Sequence, residues 1–163
     1  MGRKPTKAVG NVWYEARIKA AEYNDKLQSR AGAAEELGVS EDAIKGTELG
    51  LEKCMPVDKA VLMADLYHAP QLLNHYCLNE CPIGRNRPIS DQVVTVDRAA
   101  VKLFSLLQSD KVKSVRNLLL KISEDGHVTS EDEADLAKVV DYLDSLSRVA
   151  CELHTLQSIS TGE

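Results

Sequence analysis

Cysteine and histidine are the first residues here whose types and spacing suit chemistry. Cys77 and Cys81 stand four apart beside His75 and His68, with Cys54 upstream. Thiolates and imidazoles so placed can bind zinc, but structural zinc sites usually pair their cysteines in CxxC knuckles. None occurs here, which predicts buried thiols in a reducing compartment and no metal or other cofactor. Residues 121–132 contain the Asp125-Gly126 turn of a calcium loop. Lys121, however, stands where the first acidic ligand is needed, and Asp132 where a bidentate glutamate closes the loop, so this stretch is expected to be a helix connector. No nucleophile elbow, phosphate loop or HExxH motif is present, and the scattered Ser, His and Asp residues fall at expected caps and polar faces. The chain is not expected to be an enzyme.

A second constellation points to binding. Ala34, Gly38, Ile44, Glu48 and Gly50 follow the pattern A-x3-G-x5-I-x3-E-x-G. Ala34 allows two helices to cross closely, and Gly38 makes a tight turn between them. Ile44 plugs the core beneath, and Gly50 stops the second helix. The pattern is that of a helix-turn-helix.

The elements that must carry this hairpin are legible in caps and apolar spacing. Residues 1–10 are expected to be a flexible basic arm. A helix over 11–23 presents Val12, Ala16, Ile18 and Ala20, and Asn24-Asp25-Lys26 breaks it. Ser29 caps a helix over 31–37 that Gly38 ends; Ser40 caps the next, with Val39 and Ile44 at the staple positions and Glu41 and Asp42 in the first turn. Helices over 57–67 and 70–76 complete a five-helix domain at 11–81. Pro82, Gly84, Pro88 and Ser90 interrupt the apolar period, giving a linker at 82–95. Helices then follow at about 91–108, 110–123 and 131–158, the last opened by a Ser130–Glu133 capping box, in a dimerisation or regulatory domain at 96–163. The long helix spaces Leu136, Val139, Leu143, Leu146, Ala150 and Leu153 like a coiled-coil seam, widened by Val140, Val149 and Leu156. A stripe this wide suits either an internal three-helix bundle or a helix packed on both its own domain and a second chain. The expected fold is all-α: an N-terminal five-helix helix-turn-helix domain and a C-terminal helical hairpin or bundle with a long coiled-coil-like helix.

From residue 29 to 50, with the following helices to 76, the chain resembles the XRE family of lambda-repressor/Cro-like regulators, over roughly its first half. In such domains the second hairpin helix enters the major groove. The resemblance implies that Arg30 meets a phosphate, that Ser40, Glu41, Asp42, Lys45 and Gly46 face the groove with Thr47 beside them, and that Lys53 reaches the distal phosphate strand. It also implies a structural pair between Glu48 and Arg17, across a longer connection than the family uses. The family more often has Gln, Ser, Thr or Arg where Glu41 and Asp42 stand. Two carboxylates repel phosphate unless each accepts from cytosine N4; otherwise they act only as first-turn anions.

Charge limits where DNA contacts can lie. The 163-residue chain has a net charge of -5, and only the N-terminal arm and the linker arginines Arg85 and Arg87 are locally basic. No apolar run reaches the length of a membrane span and no signal-peptide core follows the basic start, so a cytoplasmic protein is expected. The expected function is that of a bacterial-type, sequence-specific transcriptional regulator on double-stranded DNA, a homodimer through its C-terminal helices with half-sites about one helical turn apart. The alternative is a protein-interaction module that keeps the fold without reading DNA.

Overall fold

Asn11 opens the first helix by accepting the N–H groups of Trp13 and Tyr14 at 2.9 and 3.2 Å, which satisfies two donors that a bare helix start would leave orphaned. In the computed structural model of the chain, which describes residues 7–52, 55–124 and 126–161, α1 then runs over Val12–Ala20. It ends earlier than its apolar pattern suggests, because the N–H groups of Tyr23 and Asn24 both turn back to the Ala20 carbonyl. A 3-10 turn at Asp25–Gln28 follows and buries Leu27 completely.

Ser29 caps α2, Arg30–Leu37, by accepting from Gly32 N–H at 3.0 Å; Gly38, at φ +65°, closes it in the left-handed region. Ser40 caps α3, Glu41–Glu48, through Ala43 N–H at 3.1 Å. α4, Val57–Leu66, and α5, Gln71–Asn79, complete the group, α5 running three residues beyond expectation. Trp13, Leu27, Met55, Met63 and Leu72 fill the core among small residues such as Ala20, Ala33 and Ala60. Each large apolar side chain so buried contributes about 1.5–3 kcal/mol.

The expected linker is fastened down. It carries a 3-10 turn at Gly84–Asn86 and buries Ser90. Residues 91–95, expected to be helical, precede α6, Val96–Leu106; α7 covers Ser109–Ser123 and α8 Glu133–Thr161. Lys102 meets Glu152, the Leu106 carbonyl accepts from Tyr142, and Lys121 meets Asp135. Rising positions on α6 and α7 thus meet falling positions on α8, so the two shorter helices lie one after the other, antiparallel to a helix about 43 Å long. The described residues are all-helical, without strands.

Two expectations change in detail. The turn before α8 is closed by Asp132, whose carboxylate accepts the Thr129 N–H and hydroxyl at 3.0 and 2.7 Å, in place of a Ser130–Glu133 box. Of the expected seam only Val139 is fully buried, with Leu136 and Leu146 half-buried, while Leu143, Ala150 and Leu153 are exposed. The inner line of α8 runs instead through Val139, Tyr142, Leu146 and Val149. Its C-terminal half turns toward the first group of helices: Asn74 on α5 donates to the Ser90 carbonyl and to Thr155, and Ser90 donates to the buried carboxylate of Glu152 at 3.0 Å.

One packing contact leaves no room for a methyl group. A Cβ on Gly32 would lie 2.1 Å from the Lys26 carbonyl oxygen. Gly32→Ala is expected to cost about 2 kcal/mol or more in urea unfolding, whatever its gain in helix propensity; a stabilised variant would contradict this packing.

Candidate nucleic-acid interface

The α2–α3 hairpin is anchored from below. Ile44, Thr47 and Glu48 occupy one face of α3 at spacings of three and four and are buried. The Glu48 carboxylate, with no exposed side-chain surface, accepts from Arg17 Nε at 2.5 Å and Nη2 at 3.2 Å and from Arg30 Nε at 2.7 Å. Arg17 also donates to the Leu27 carbonyl at 2.7 Å and lies 5.5 Å from the centre of the Tyr14 ring. One carboxylate therefore joins α1, the 3-10 turn, α2 and α3. A second tie spans α3, where Lys59 on α4 donates to the Ala43 carbonyl in its first turn and to Glu52 beyond its C-terminus, both at 2.8 Å.

These anchors decide which expected contact residues reach solvent. Ser40, Glu41, Asp42 and Lys45 do, on the first turns of α3. Asp42 is the most open, at 92% side-chain exposure, and Lys45 approaches it only to 3.8 Å. The Ser40 hydroxyl is engaged in the cap. Thr47 is a correction: it is buried, its hydroxyl facing the Ala43 carbonyl and Glu52 at 3.1 and 2.9 Å, because it follows Ile44 by three positions on the inner face. Gly46 is half-buried, and a Cβ there would sit 3.3 Å from Glu52 Cγ, so it too is withdrawn from the outer surface. Arg30 is partly exposed but holds Glu48 with Nε, which makes it first a structural residue. Lys53 and Cys54 lie outside the described residues.

The Arg17–Glu48 pair expected from the family resemblance is present, and the second arginine was missed. Arg30 lies one residue after the Ser29 cap and on the inner edge of α2, a position that signals the pairing only once the hairpin is folded. Lys59 and Glu52 gave no signal beyond ordinary surface charge. The exposed charge of the hairpin is mixed in sign: Glu41 and Asp42 accompany Lys45 on α3, while Glu36 on α2 pairs with Lys26 at 2.6 Å.

Among the described residues no three His, Cys, Asp or Glu side chains could share a metal. His75 meets Asp91 at 3.1 Å, His68 packs against the Tyr23 ring, and Cys77 and Cys81 are free half-buried thiols, with burial pushing the Cys77 thiol up from its ordinary value. No described helix is long and apolar enough to cross a membrane. Compared with known proteins, the chain matches no family model, no curated sequence and no solved structure.

Tyr67 gives the anchor a pH signature. Burial pushes its phenol well above the usual value of about 10, against a smaller pull from Arg17, and its hydroxyl has no hydrogen-bond partner among the described residues. The folded chain thus holds a proton that the unfolded chain releases near pH 10, so stability is full below that pH and falls as pH rises past it. Tyr67→Phe is expected to flatten the alkaline loss in unfolding free energy measured from pH 9 to 11, and to leave stability at pH 7 unchanged or higher by up to about 1 kcal/mol. Glu48→Gln, which leaves two guanidinium groups without their counter-charge, is expected to cost about 3 kcal/mol or more at pH 7. An unchanged midpoint in chemical denaturation would contradict this.

Proposed function

We propose that the chain is a sequence-specific DNA-binding transcriptional regulator resembling the XRE family, working as a homodimer in the cytoplasm of a bacterial-type cell. The observation that carries the reading is the asymmetry of α3. Its inner face is held by a buried ionic anchor, and its first turns expose Ser40, Glu41, Asp42 and Lys45 to solvent. A short helix presented this way suits the major groove, where the N-terminal residues of a recognition helix meet base edges.

In this reading Lys45 approaches a guanine or a phosphate, Glu41 and Asp42 accept from cytosine N4, and Arg30 offers its outer nitrogens to the backbone while Nε keeps Glu48. A second reading has a specific observation in its favour. The exposed charged side chains on the first turns of α3 are two carboxylates, Glu41 and Asp42, and one cation, Lys45, which suits a basic protein surface better than phosphate.

Selection from a random duplex pool at low salt, followed by titration of the enriched site, separates the two. DNA binding is expected to fall about 40-fold between roughly 50 and 200 mM salt if three phosphates are neutralised. Glu41→Gln or Asp42→Asn is expected to shift preference at one base pair by about 1–3 kcal/mol if its carboxylate reads cytosine, and to tighten binding to all sequences if it does not. A full-length protein that enriches no motif, with both amide variants silent, would contradict the proposal and favour a protein partner.

A further inference from the structure

A hairpin built from α6 and α7 lying against α8 is one helical layer over another, and it leaves large apolar side chains uncovered on both sides. On α6, Asp97, Val101 and Phe104 follow at i, i+4 and i+7 and so share a face. Ala99, on the opposite face, is the fully buried residue of that helix. Phe104, the one phenylalanine of the chain, is 68% exposed and Val101 69%. Beyond the Leu107–Gln108 bend, α7 and Tyr142 of α8 line an open apolar groove of about 440 Å³, walled by Val112, Val115, Leu119 and Leu120 with Arg116 at its side. The chain thus carries an apolar projection and an apolar recess on adjoining helices.

We propose that the occupant of this groove is Phe104 of a second copy of the chain, in a two-fold dimer where each chain's α6 enters the α7–α8 groove of the other. A two-fold interface is isologous: when residue i meets residue j, j meets i on the other side. A projection and a recess on one chain then satisfy each other twice, with none left open to propagate a fibre. An axis at the start of α7, near residues 109–110, fits the two elements together, because α6 of one chain then runs antiparallel to α7 of the other and brings Phe104 opposite Val115 and Arg116. Arg116 can stack on the incoming ring.

The area agrees. Val101, Phe104, Leu107, Val112, Leu119 and Leu120 are 42–69% exposed, on the order of 500–600 Å² of mainly apolar surface. A standard interface buries about 800 Å² per partner, somewhat over half of it apolar. The proposal moves the contact from the long-helix seam to α6 and the α7–α8 groove. It specifies the assembly in the DNA-binding reading above, and its test is made without DNA, so that the two fail separately.

Sedimentation of the full chain from about 1 to 100 µM is expected to show a monomer–dimer equilibrium. Phe104→Ala, at a position exposed in the single chain, is expected to keep the helical circular dichroism and to weaken the dimer about 30-fold or more, the effect of losing an interface anchor. Leu119→Arg, which fills the groove with charge, is expected to do the same. A mixture of the two variants is the decisive arm: it retains one intact Phe104-in-groove contact, so heterodimers are expected at concentrations where each variant alone is monomeric. A wild-type chain that stays monomeric throughout, variants that dimerise as wild type, or a mixture no more associated than its components would each overturn the proposal.

Discussion

The carboxylate of Glu48 lies between the guanidinium groups of Arg17 and Arg30 with no exposed surface of its own. A charge so placed is tolerable only when fully paired, and its three donors come from two separate elements, α1 and α2, while the carboxylate itself belongs to α3. The interaction therefore has a geometric consequence: α3 can take only the position that brings Glu48 to both arginines. Ile44, one turn earlier on the same face and completely buried, supplies apolar weight to the same placement. The exposure of the first turns on the outer side of α3 follows from what these two residues hold on the inner side.

A similar device joins the C-terminal helices to the first five. Glu152 is buried on α8 and receives Lys102 from α6 and Ser90 from the segment between the two groups, while Asn74 on α5 reaches Ser90 and Thr155. The segment rich in proline and glycine thus works as a strap, tied to α5 through Asn74 and to α8 through Glu152.

How far these features were legible depends on how local their causes are. The caps at Ser29 and Ser40 and the left-handed glycines Gly38 and Gly50 act within a few residues, and their helices stand close to where those residues indicate. The width of the α8 stripe was legible too, since it reflects how many sides of the helix are apolar. Which edge is covered was not, because that depends on how α6 and α7 bend at residues 107–108. Arg30 illustrates the same limit at the candidate site: a cation at a helix start suits a phosphate and a buried glutamate equally well, and the partner lies 18 residues away. Thr47 was misplaced for a related reason. Position on a motif suggested the outer surface, whereas three residues of spacing from Ile44 put it in the interior.

In the proposed DNA-binding role, the buried anchor holds α3 so that its exposed first turns meet the duplex. Amide spectra of the isotopically labelled full chain, titrated with a mixed-sequence duplex at low salt, test it directly, because they report the contacted segment even when the preferred site is undefined. The shifts are expected to concentrate at Ser29, Arg30 and residues 40–45, with α6 to α8 little changed. Shifts concentrated on the C-terminal helices, with residues 40–45 unmoved, would contradict it.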